Sequence, residues 1–451
     1  MKEQLIISSK TGWRQVGDYM VIYSCNTQNL ATLNGTASQI WVMINRGSTT
    51  PQLVDFLVEE YDIDLCQARV DVKSFVDEMA GMGFILSDNP LGEEAGNDTD
   101  GENVLLSIEM EAINRLVPFA VTLETTYLCN ERCIHCYMDR NIPSLSTEKL
   151  KDIILELAEA GCLFLSLTGG EFFLRPDWQD IIETATDNRF VIDILSNGTL
   201  ITQEVAQILS KNSVRRVQVS IYGSTSLIHD SVTQIEGSFH RTLRGIEYLR
   251  SCGIKVEIAF PLMNINFHDR HNVKALADSF GCLLSPSPII TARNDGNNDT
   301  FDLRLTDEQL ILFFEDETFS SLYAGRKPFY DHQLYLGIEN ILDAAPCYCG
   351  FNSCAVSPQG IVYPCNQLLS PVGDLKQNRF CDIWCNSLQL KYLRGLTIRE
   401  LPKCAQCDNL HLCARCPGLA LLESGDLLRP SPENCRITEC QNGLREKGNE
   451  K

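Results

Sequence analysis

The chain carries the stretch Phe119-Ala-Val-Thr-Leu-Glu-Thr-Thr-Tyr-Leu-Cys-Asn-Glu-Arg-Cys-Ile-His-Cys136. Its first part, Phe119 to Glu124, alternates apolar and β-forming residues and predicts a buried strand. Three thiols follow within eight residues, at Cys129, Cys133 and Cys136. Because the loops that follow the carboxyl ends of parallel strands carry the chemistry of barrel proteins, this stretch predicts both a fold and the place of a functional site.

Strand-like runs alternate with amphipathic runs over the residues that follow. Such alternation predicts parallel strands joined by crossover helices. We therefore expect an α/β fold in which residues 118–330 form a partial (β/α)6 TIM-type barrel. The six strand runs are Phe119 to Glu124, Leu163 to Leu167, Phe190 to Leu195, Arg216 to Ile221, Lys255 to Phe260 and Leu283 to Ile290.

The number of thiols in the loop bears on the metal that they hold. A 4Fe–4S cluster ordinarily takes four thiolates, so three thiolates leave one iron open to a cofactor or substrate, as catalytic zinc sites keep one vacant position. A zinc site would need a fourth ligand, and His135 is poorly placed because it directly precedes Cys136. The loop thus favours an iron–sulfur cluster with an open iron.

The spacing C-x3-C-x2-C resembles the signature of the radical S-adenosylmethionine superfamily, over about residues 118–290. The second strand run continues into Thr168-Gly169-Gly170-Glu171, which is similar to the Gly-Gly-Glu motif of that family. The resemblance implies that Cys129, Cys133 and Cys136 hold a catalytic 4Fe–4S cluster. It also implies contacts to S-adenosylmethionine from Thr168, Gly169, Gly170 and Glu171, with Glu171 pairing with the methionine amino group, and from Asn197 and Ser220 at the next two strand ends. Helix capping is the alternative role for Asn197 and Ser220.

Twelve of the 20 cysteines lie between Cys347 and Cys440. Together with Gly360, their spacing over 340–445 resembles the auxiliary iron–sulfur (SPASM) domain of peptide and sulfatase maturases. The resemblance implies a first auxiliary group, Cys404, Cys407, Cys413 and Cys435, and a second auxiliary group, Cys347, Cys365 and Cys416, each holding a 4Fe–4S cluster. Three 4Fe–4S clusters are expected in all. Cys349 is a candidate fourth ligand of the second group, Cys354 is expected to be a buried apolar residue, and zinc ribbons are the alternative for the region.

Residues 1–87 predict a small separate domain with strand signals followed by three amphipathic helices, the first capped at Thr36. This part resembles the winged-helix-like, PqqD-like domain that recognises leader peptides, which implies a precursor peptide as partner. A winged helix that only packs on the enzyme is the alternative. The segment 88–117 contains six acidic residues and no Lys or Arg between Asp88 and Glu102, which predicts a solvated acidic linker.

Composition excludes other classes of protein. The formal charge of −21 over 451 residues disfavours nucleic acid and anionic membranes as partners, since neither a basic stripe nor a polybasic tract is present. No apolar run of membrane-spanning length and no secretory signal is visible, so we expect a cytoplasmic location. In a reducing compartment, cysteines in this pattern indicate metal ligation rather than disulfides.

Together, these resemblances imply a radical enzyme that modifies a ribosomally synthesised precursor peptide, bound through its leader. The resemblance implies an electron from a flavodoxin or ferredoxin, a 5′-deoxyadenosyl radical that abstracts hydrogen, and a Cys thioether crosslink as the first choice of product. Epimerisation, a C–C crosslink and sulfatase-type maturation are alternatives within enzymes. An electron-transfer iron–sulfur protein is the alternative from another class.

Overall fold

The computed structural model describes residues 5–86, 99–138, 142–324 and 338–449. The amino-terminal part opens with an antiparallel sheet in the order β1-β2-β3, formed by Thr11–Val16, Tyr19–Ser24 and Leu30–Leu33. Three helices follow, α1 Gly35–Asn45, α2 Thr50–Tyr61 and α3 Leu65–Gly81. They pack on one face of the sheet around the fully buried Trp41. The predicted order of strands and then three helices is observed, with β1 as an additional strand.

The start of α1 differs from the expectation. The predicted cap at Thr36 is wrong, because the N-cap is Asn34, whose side-chain oxygen accepts a hydrogen bond from the Ala37 N–H at 3.0 Å. Asn and Asp are favoured at this position because a short side-chain acceptor reaches the unpaired amides of the first turn.

The segment predicted as an acidic linker, residues 88–117, contains a helix. Helix α4, Thr99–Arg115, occupies most of its second half, and residues 87–98 lie outside the described residues. Ile108 and Ala112, one turn apart on α4, are buried against Val21 of β2 and Phe119. Apolar residues spaced by four form one face of a helix, and burial of this face stabilises the helix despite the acidic composition of the segment.

The central sheet contains six parallel strands in chain order, with helices in the connections. This arrangement confirms the predicted α/β class and is consistent with a partial TIM-type barrel. Two more helices, α11 Asp307–Glu315 and α12 Glu317–Ala324, follow the last strand. The strands are β4 Ala120–Thr126, β5 Phe164–Gly169, β6 Val191–Ser196, β7 Val214–Ser220, β8 Val256–Pro261 and β9 Leu283–Ser287; the helices between them are α5 Thr147–Glu159, α6 Trp178–Asp187, α7 Gln203–Leu209, α8 Ser226–Thr233, α9 Ser238–Ser251 and α10 Arg270–Ser279.

The two faces of this sheet differ in chemistry. Leu123, Leu167, Ile194 and Val217 are neighbours across four strands and are fully buried in the core that the helices cover. One residue earlier on each strand, the neighbours Thr122, Ser166, Asp193 and Arg216 are polar. Because side chains alternate between faces along a strand, the second face forms a polar surface away from the helices.

The cysteine-rich part extends the same sheet. Strand β10, Ser353–Val356, pairs in parallel with β4, and β11, Ile361–Tyr363, and β12, Gly373–Asp374, continue it as antiparallel strands. The final sheet order is β12-β11-β10-β4-β5-β6-β7-β8-β9. Four helices complete the region: α13 Phe380–Asn386, α14 Leu388–Gly395, α15 Pro417–Ser424 and α16 Pro432–Asn449. Among the helices that the structure describes, none combines the length and the apolar character needed to cross a bilayer.

The amino-terminal domain contacts the barrel at the amino ends of the parallel strands. Arg14 of β1 donates from Nη2 to the Asn188 carbonyl at 2.8 Å, and its guanidinium carbon lies 4.6 Å from the centre of the Phe190 ring. The Cys25 thiol donates to the Ser213 carbonyl at 3.2 Å, just before β7. These contacts place the domain at the end of the barrel opposite to the carboxyl ends of the strands.

Gly12 of β1 is required by this interface. A Cβ atom at Gly12 would lie 2.6 Å from Cγ2 of Val191 and 3.0 Å from the Arg189 carbonyl oxygen. We expect Gly12→Val to destabilise the docked domain by about 1–3 kcal/mol, as overpacking does in other interiors. Hydrogen exchange of β1 and of residues 188–191 measures the effect. Gly35→Ala is the control, since a Cβ there meets no atom within 4 Å; equal exchange in both variants would contradict the assignment.

Candidate active site at the carboxyl ends of the parallel strands

The cysteine loop leaves β4 and is fixed by backbone hydrogen bonds to the end of α8. The Arg132 N–H donates to the Thr233 carbonyl at 2.9 Å, and the Ile134 N–H donates to the Val232 carbonyl at 3.0 Å. Within the loop, the Cys136 N–H donates to the Cys133 carbonyl at 3.1 Å. The three thiols are therefore presented together by a loop with a defined backbone, rather than by a free excursion of the chain.

Gly169, the last residue of β5, and Gly170 bring the ends of β4 and β5 into backbone contact. The N–H of Gly170 donates to the Thr126 carbonyl at 2.7 Å, and that of Glu171 donates to the Leu128 carbonyl at 2.8 Å. A Cβ would lie 2.0 Å from the Thr126 oxygen at Gly169 and 2.2 Å from the Leu128 oxygen at Gly170. The two glycines are thus needed for the approach of β5 to the cysteine loop itself, a role that the motif does not reveal.

Glu171 is fully buried, and its carboxylate is surrounded by protein donors. Ser196 Oγ donates to it at 2.9 Å, the Asn197 N–H at 2.8 Å and the Phe173 N–H at 3.1 Å. Burial raises the pKa of Glu171, and these hydrogen bonds oppose that rise. The expected pairing with a methionine amino group stays a prediction, while the structure adds a positioning role: Glu171 joins the ends of β5 and β6.

Asn197 connects the end of β6 to the cysteine loop. Its side-chain nitrogen donates to Asn130 Oδ1 at 2.8 Å and lies 3.9 Å from the Cys129 sulfur, and its side-chain oxygen accepts from the Thr199 N–H at 2.9 Å. Asn130 in turn donates to the Thr199 hydroxyl at 2.8 Å. Asn197 is thus in contact with the residues of the loop, in addition to the cap-like bond that it makes to Thr199.

Ser220 ends β7 and hydrogen-bonds to the Tyr222 hydroxyl. The Tyr222 hydroxyl also lies 3.9 Å from the Cys133 sulfur, within hydrogen-bonding range of a thiol. Tyr222 is buried and packs against the His135 ring with centroids 5.0 Å apart. No sequence pattern distinguishes Tyr222, because an aromatic residue just after a strand is ordinary core composition.

No sequence pattern distinguishes Arg293 either. It follows β9 and donates to the carbonyls of Cys136 and Ile134, the latter at 3.3 Å, while its Nε pairs with Asp299 at 2.6 Å. The Asn294 N–H adds a bond to the Tyr137 carbonyl at 2.8 Å. The segment after β9 thereby contacts the cysteine loop that follows β4.

A second buried carboxyl group stands on the polar face of β4. Glu124 is 6% exposed, is paired in register with Thr168 and accepts a hydrogen bond from the Tyr127 hydroxyl at 2.7 Å. Desolvation raises the pKa of Glu124 to about 7. A single acidic residue in a strand gave no signal in the sequence, since its partner Tyr127 and its burial depend on the assembled sheet.

The structure brings the four thiols of the first auxiliary group together. Cys404, Cys407 and Cys413 lie near enough to Cys435 to contribute to the electrostatic environment of its thiol, and Cys404 and Cys407 do the same for the Cys413 thiol. In the second auxiliary group, Cys365 and Cys347 likewise surround Cys416. Burial raises the pKa of Cys416 and of Cys435 to about 11.

The thiol groups suit iron–sulfur clusters in composition, since every member is Cys. Within the described ranges, no three His, Cys, Asp or Glu side chains have the arrangement of a single-ion site. Ligands of one zinc ion converge on a point about 2.3 Å from each sulfur, whereas a cubane spreads its thiolates around a larger body. Iron content distinguishes the two kinds of site.

Three families match separate parts of the chain. Residues 123–278 match the Radical SAM superfamily, residues 19–85 match the family described as coenzyme PQQ synthesis protein D, and residues 347–417 match the iron–sulfur cluster-binding SPASM domain.

Curated relatives and solved structures extend this similarity. The AdoMet-dependent heme synthase of Methanosarcina barkeri is 30% identical over 70% of this chain and 95% of the relative. The mycofactocin maturase MftC of Mycobacterium tuberculosis is 27% identical over 70% of this chain and 82% of that protein. In structure, Streptococcus suis SuiB bound to the precursor peptide SuiA aligns with a TM-score of 0.62 at 14% identity, over 96% of this chain and 99% of that one.

The raised pKa of Glu124 predicts how the free energy of unfolding depends on pH. The folded state holds the Glu124 proton more tightly than the unfolded state, so this stabilisation is complete below about pH 4.5 and is lost as the pH rises through about 7. Between pH 5 and 8, the free energy of unfolding of wild type should therefore fall by up to about 3 kcal/mol relative to that of Glu124→Gln, whose side chain stays neutral. Urea unfolding at each pH measures the difference. The exposed Glu148→Gln is the control, and a pH-independent difference for Glu124→Gln would contradict the burial.

Proposed function

The chain belongs to the radical SAM superfamily, and we propose that it modifies a ribosomally synthesised precursor peptide that it binds through a leader segment. The observation that carries the proposal is the combination of a PqqD-like domain, a radical SAM barrel and a SPASM region in one chain. An electron-transfer protein needs neither the leader-recognition domain nor the Gly-Gly-Glu strand end.

The residues at the carboxyl ends of the strands fit the implied cofactors. Cys129, Cys133 and Cys136 would hold the catalytic 4Fe–4S cluster, and the strand ends at Thr168–Glu171, Asn197 and Ser220 would contact S-adenosylmethionine. When bound, this pair supplies a 5′-deoxyadenosyl radical that removes hydrogen from an unactivated carbon. The chain's own groups position the loop: Asn197 and Tyr222 contact its sulfurs, and Arg293 holds its carbonyls.

The two auxiliary groups would hold two further 4Fe–4S clusters, and a flavodoxin or ferredoxin would supply the electron. A Cys thioether crosslink is the product that we propose first, because a radical enzyme with auxiliary clusters has an acceptor for the second electron of such an oxidation. Epimerisation, C–C crosslinking and sulfatase-type maturation stay as alternatives. The 30% identical heme synthase supports a second candidate, a tetrapyrrole substrate.

The amino-terminal domain has two features suited to an extended peptide. In the described part of the chain, β3 pairs only with β2, which leaves its outer edge open to an added strand. Beside the end of β3 lies a groove of about 340 Å³ between α1, α2 and α3. Its lining combines apolar and polar residues and consists of Asn34, Thr36, Ala37, Ile40, Leu57, Tyr61, Ile63, Asp71 and Phe75.

The cluster assignment predicts the iron content of the chain. Anaerobic reconstitution should load about twelve iron atoms, four for each of three clusters. The triple change Cys129→Ala, Cys133→Ala and Cys136→Ala should lower this to about eight and abolish formation of 5′-deoxyadenosine. Iron analysis and chromatography of the nucleoside measure both. Changing Cys66, an exposed cysteine outside all three groups, to Ala is the control; about four iron atoms in wild type would refute the auxiliary assignments.

The groove predicts where a leader binds. Ala37 lines the groove near the start of α1. The change Ala37→Trp should fill the groove and weaken the binding of the cognate leader at least tenfold. Calorimetry on the full chain measures this affinity. Asn45→Trp is the matched control, because this exposed residue ends the same helix away from the groove.

Cleavage of S-adenosylmethionine without peptide should be equal in both variants, because the groove and the cysteine loop lie at opposite ends of the barrel. Equal leader affinity of the two variants would contradict the groove assignment. Absence of any leader affinity in wild type, with a tetrapyrrole bound instead, would favour the second candidate.

A further inference from the structure

We propose that Cys349 is the fourth protein ligand of the second auxiliary group, so that Cys347, Cys349, Cys365 and Cys416 form a closed four-thiolate site without an open iron. The inference concerns the coordination of one cluster and rests on the proposed function only in that this function assigns a cluster to the group. It follows from the position of Cys349 between the other thiols.

The first observation is the contact of Cys349 with two members of the group. The Cys349 thiol shares hydrogen bonds with the thiols of both Cys347 and Cys365. The Cys349 N–H also donates to the Cys347 sulfur at 3.4 Å. Cys349 thus lies inside the group, although it is only two residues along the chain from Cys347.

The second observation concerns how the chain turns at this point. Cys349 forms a bridge with Ser353 at the start of β10, and the Gly350 N–H donates to the Ser353 carbonyl at 2.9 Å. Gly350 has φ +82°, a left-handed conformation that glycine adopts without strain. This tight turn reverses the chain before β10 and leaves Cys349 buried, with 9% of its surface exposed.

The third observation is the environment of the sulfurs. The Leu368 N–H donates to the Cys365 sulfur at 3.3 Å, and the Leu419 N–H lies 3.5 Å from the Cys416 sulfur. Backbone N–H donors aimed at sulfur stabilise thiolates and are a usual feature of iron–sulfur sites. Cys349 packs in the same apolar cluster as Leu368 and Leu393, which limits the access of water to the site.

The fourth observation is a cation placed beside Cys349. Arg415 lines the same cavity as Cys347 and Cys349 and is 8% exposed. Its Nη2 donates to the carbonyls of Leu427 and Arg429, the latter at 3.0 Å, whereas its Nε and Nη1 are buried and have no hydrogen-bond partner among the described residues.

Buried guanidinium N–H groups are costly without an acceptor, so a negatively charged group is expected in this cavity. A four-thiolate cluster is such a group: a fourth thiolate adds one negative charge, and Arg415 offsets it.

Cys354 is the rival for the fourth position. It is buried on β10, and the Cys354 pKa is raised mainly by desolvation, as expected for a neutral packing thiol. In register it pairs with Val121 and belongs to the apolar core of the sheet. The two cysteines therefore provide a matched pair of variants.

A closed site has a consequence for the chemistry. With all four irons ligated by protein, a sulfur atom of the substrate has no iron to bind at this cluster, so the site serves electron transfer. The thiol of a peptide substrate would then have to be oriented by protein side chains.

The experiment uses the full chain with Cys129→Ala, Cys133→Ala and Cys136→Ala, so that only auxiliary clusters are read. EPR spectra of the reduced protein are recorded before and after addition of 2-mercaptoethanol. We expect no change in this background chain, a changed spectrum when Cys349→Ala is added, and no change when Cys354→Ala is added. No peptide is present, so failure of the proposed function leaves the outcome unaffected.

Two results would overturn the proposal: a thiol-induced change in the background chain, or a thiol-induced change with Cys354→Ala and none with Cys349→Ala. If Cys349→Ala loads no second auxiliary cluster, the test rests on the spectrum of the background chain. A spectrum that 2-mercaptoethanol leaves unchanged supports a closed site, and a spectrum that it changes refutes a closed site. Iron analysis of each variant reports which clusters are present.

Discussion

The site depends on the backbone contact between the ends of β4 and β5. Gly170 and Glu171 donate their N–H groups to the carbonyls of Thr126 and Leu128, and a Cβ atom at either Gly169 or Gly170 would collide with those carbonyls. The contact fixes where the cysteine loop leaves the sheet. Since Glu171 also binds the end of β6, one buried carboxylate and two glycines set the relative positions of three strand ends.

The cysteine loop is held from several sides, and each support comes from a different strand. Asn197 follows β6, Tyr222 follows β7 and Arg293 follows β9. Such an arrangement is natural for a parallel sheet, because all of its strands end on the same side. It also means that the geometry of three thiols near the start of the barrel depends on residues up to about 160 positions later in the chain.

Local patterns predicted the strands, the alternation with helices and the grouping of the cysteines, because period and spacing are properties of short segments. They did not predict contacts that the sheet creates. Arg293 and Tyr222 have no local signal, and the burial of Glu124 depends on β5 lying beside it. The four-residue spacing of Ile108 and Ala112 favours helix α4, whereas the acidic composition of the residues before it favours a linker.

The amino-terminal domain and the cysteine loop lie at opposite ends of the barrel, and under the proposed function this separation would constrain the length of a bound peptide. Arg14 and Cys25 contact residues that precede β6 and β7, whereas the thiols follow β4. Strand β4 has seven residues, which at about 3.3 Å per residue spans roughly 23 Å.

An extended peptide anchored on the amino-terminal domain therefore needs at least about seven residues before it reaches the carboxyl ends of the strands. Because α4 and the apolar cluster that joins Val21, Ile108 and Phe119 hold the domain against the barrel, this spacing is set by a fixed distance rather than by the reach of a flexible linker. Under the proposed function, the docked domain would determine which residues of a bound peptide lie near the site.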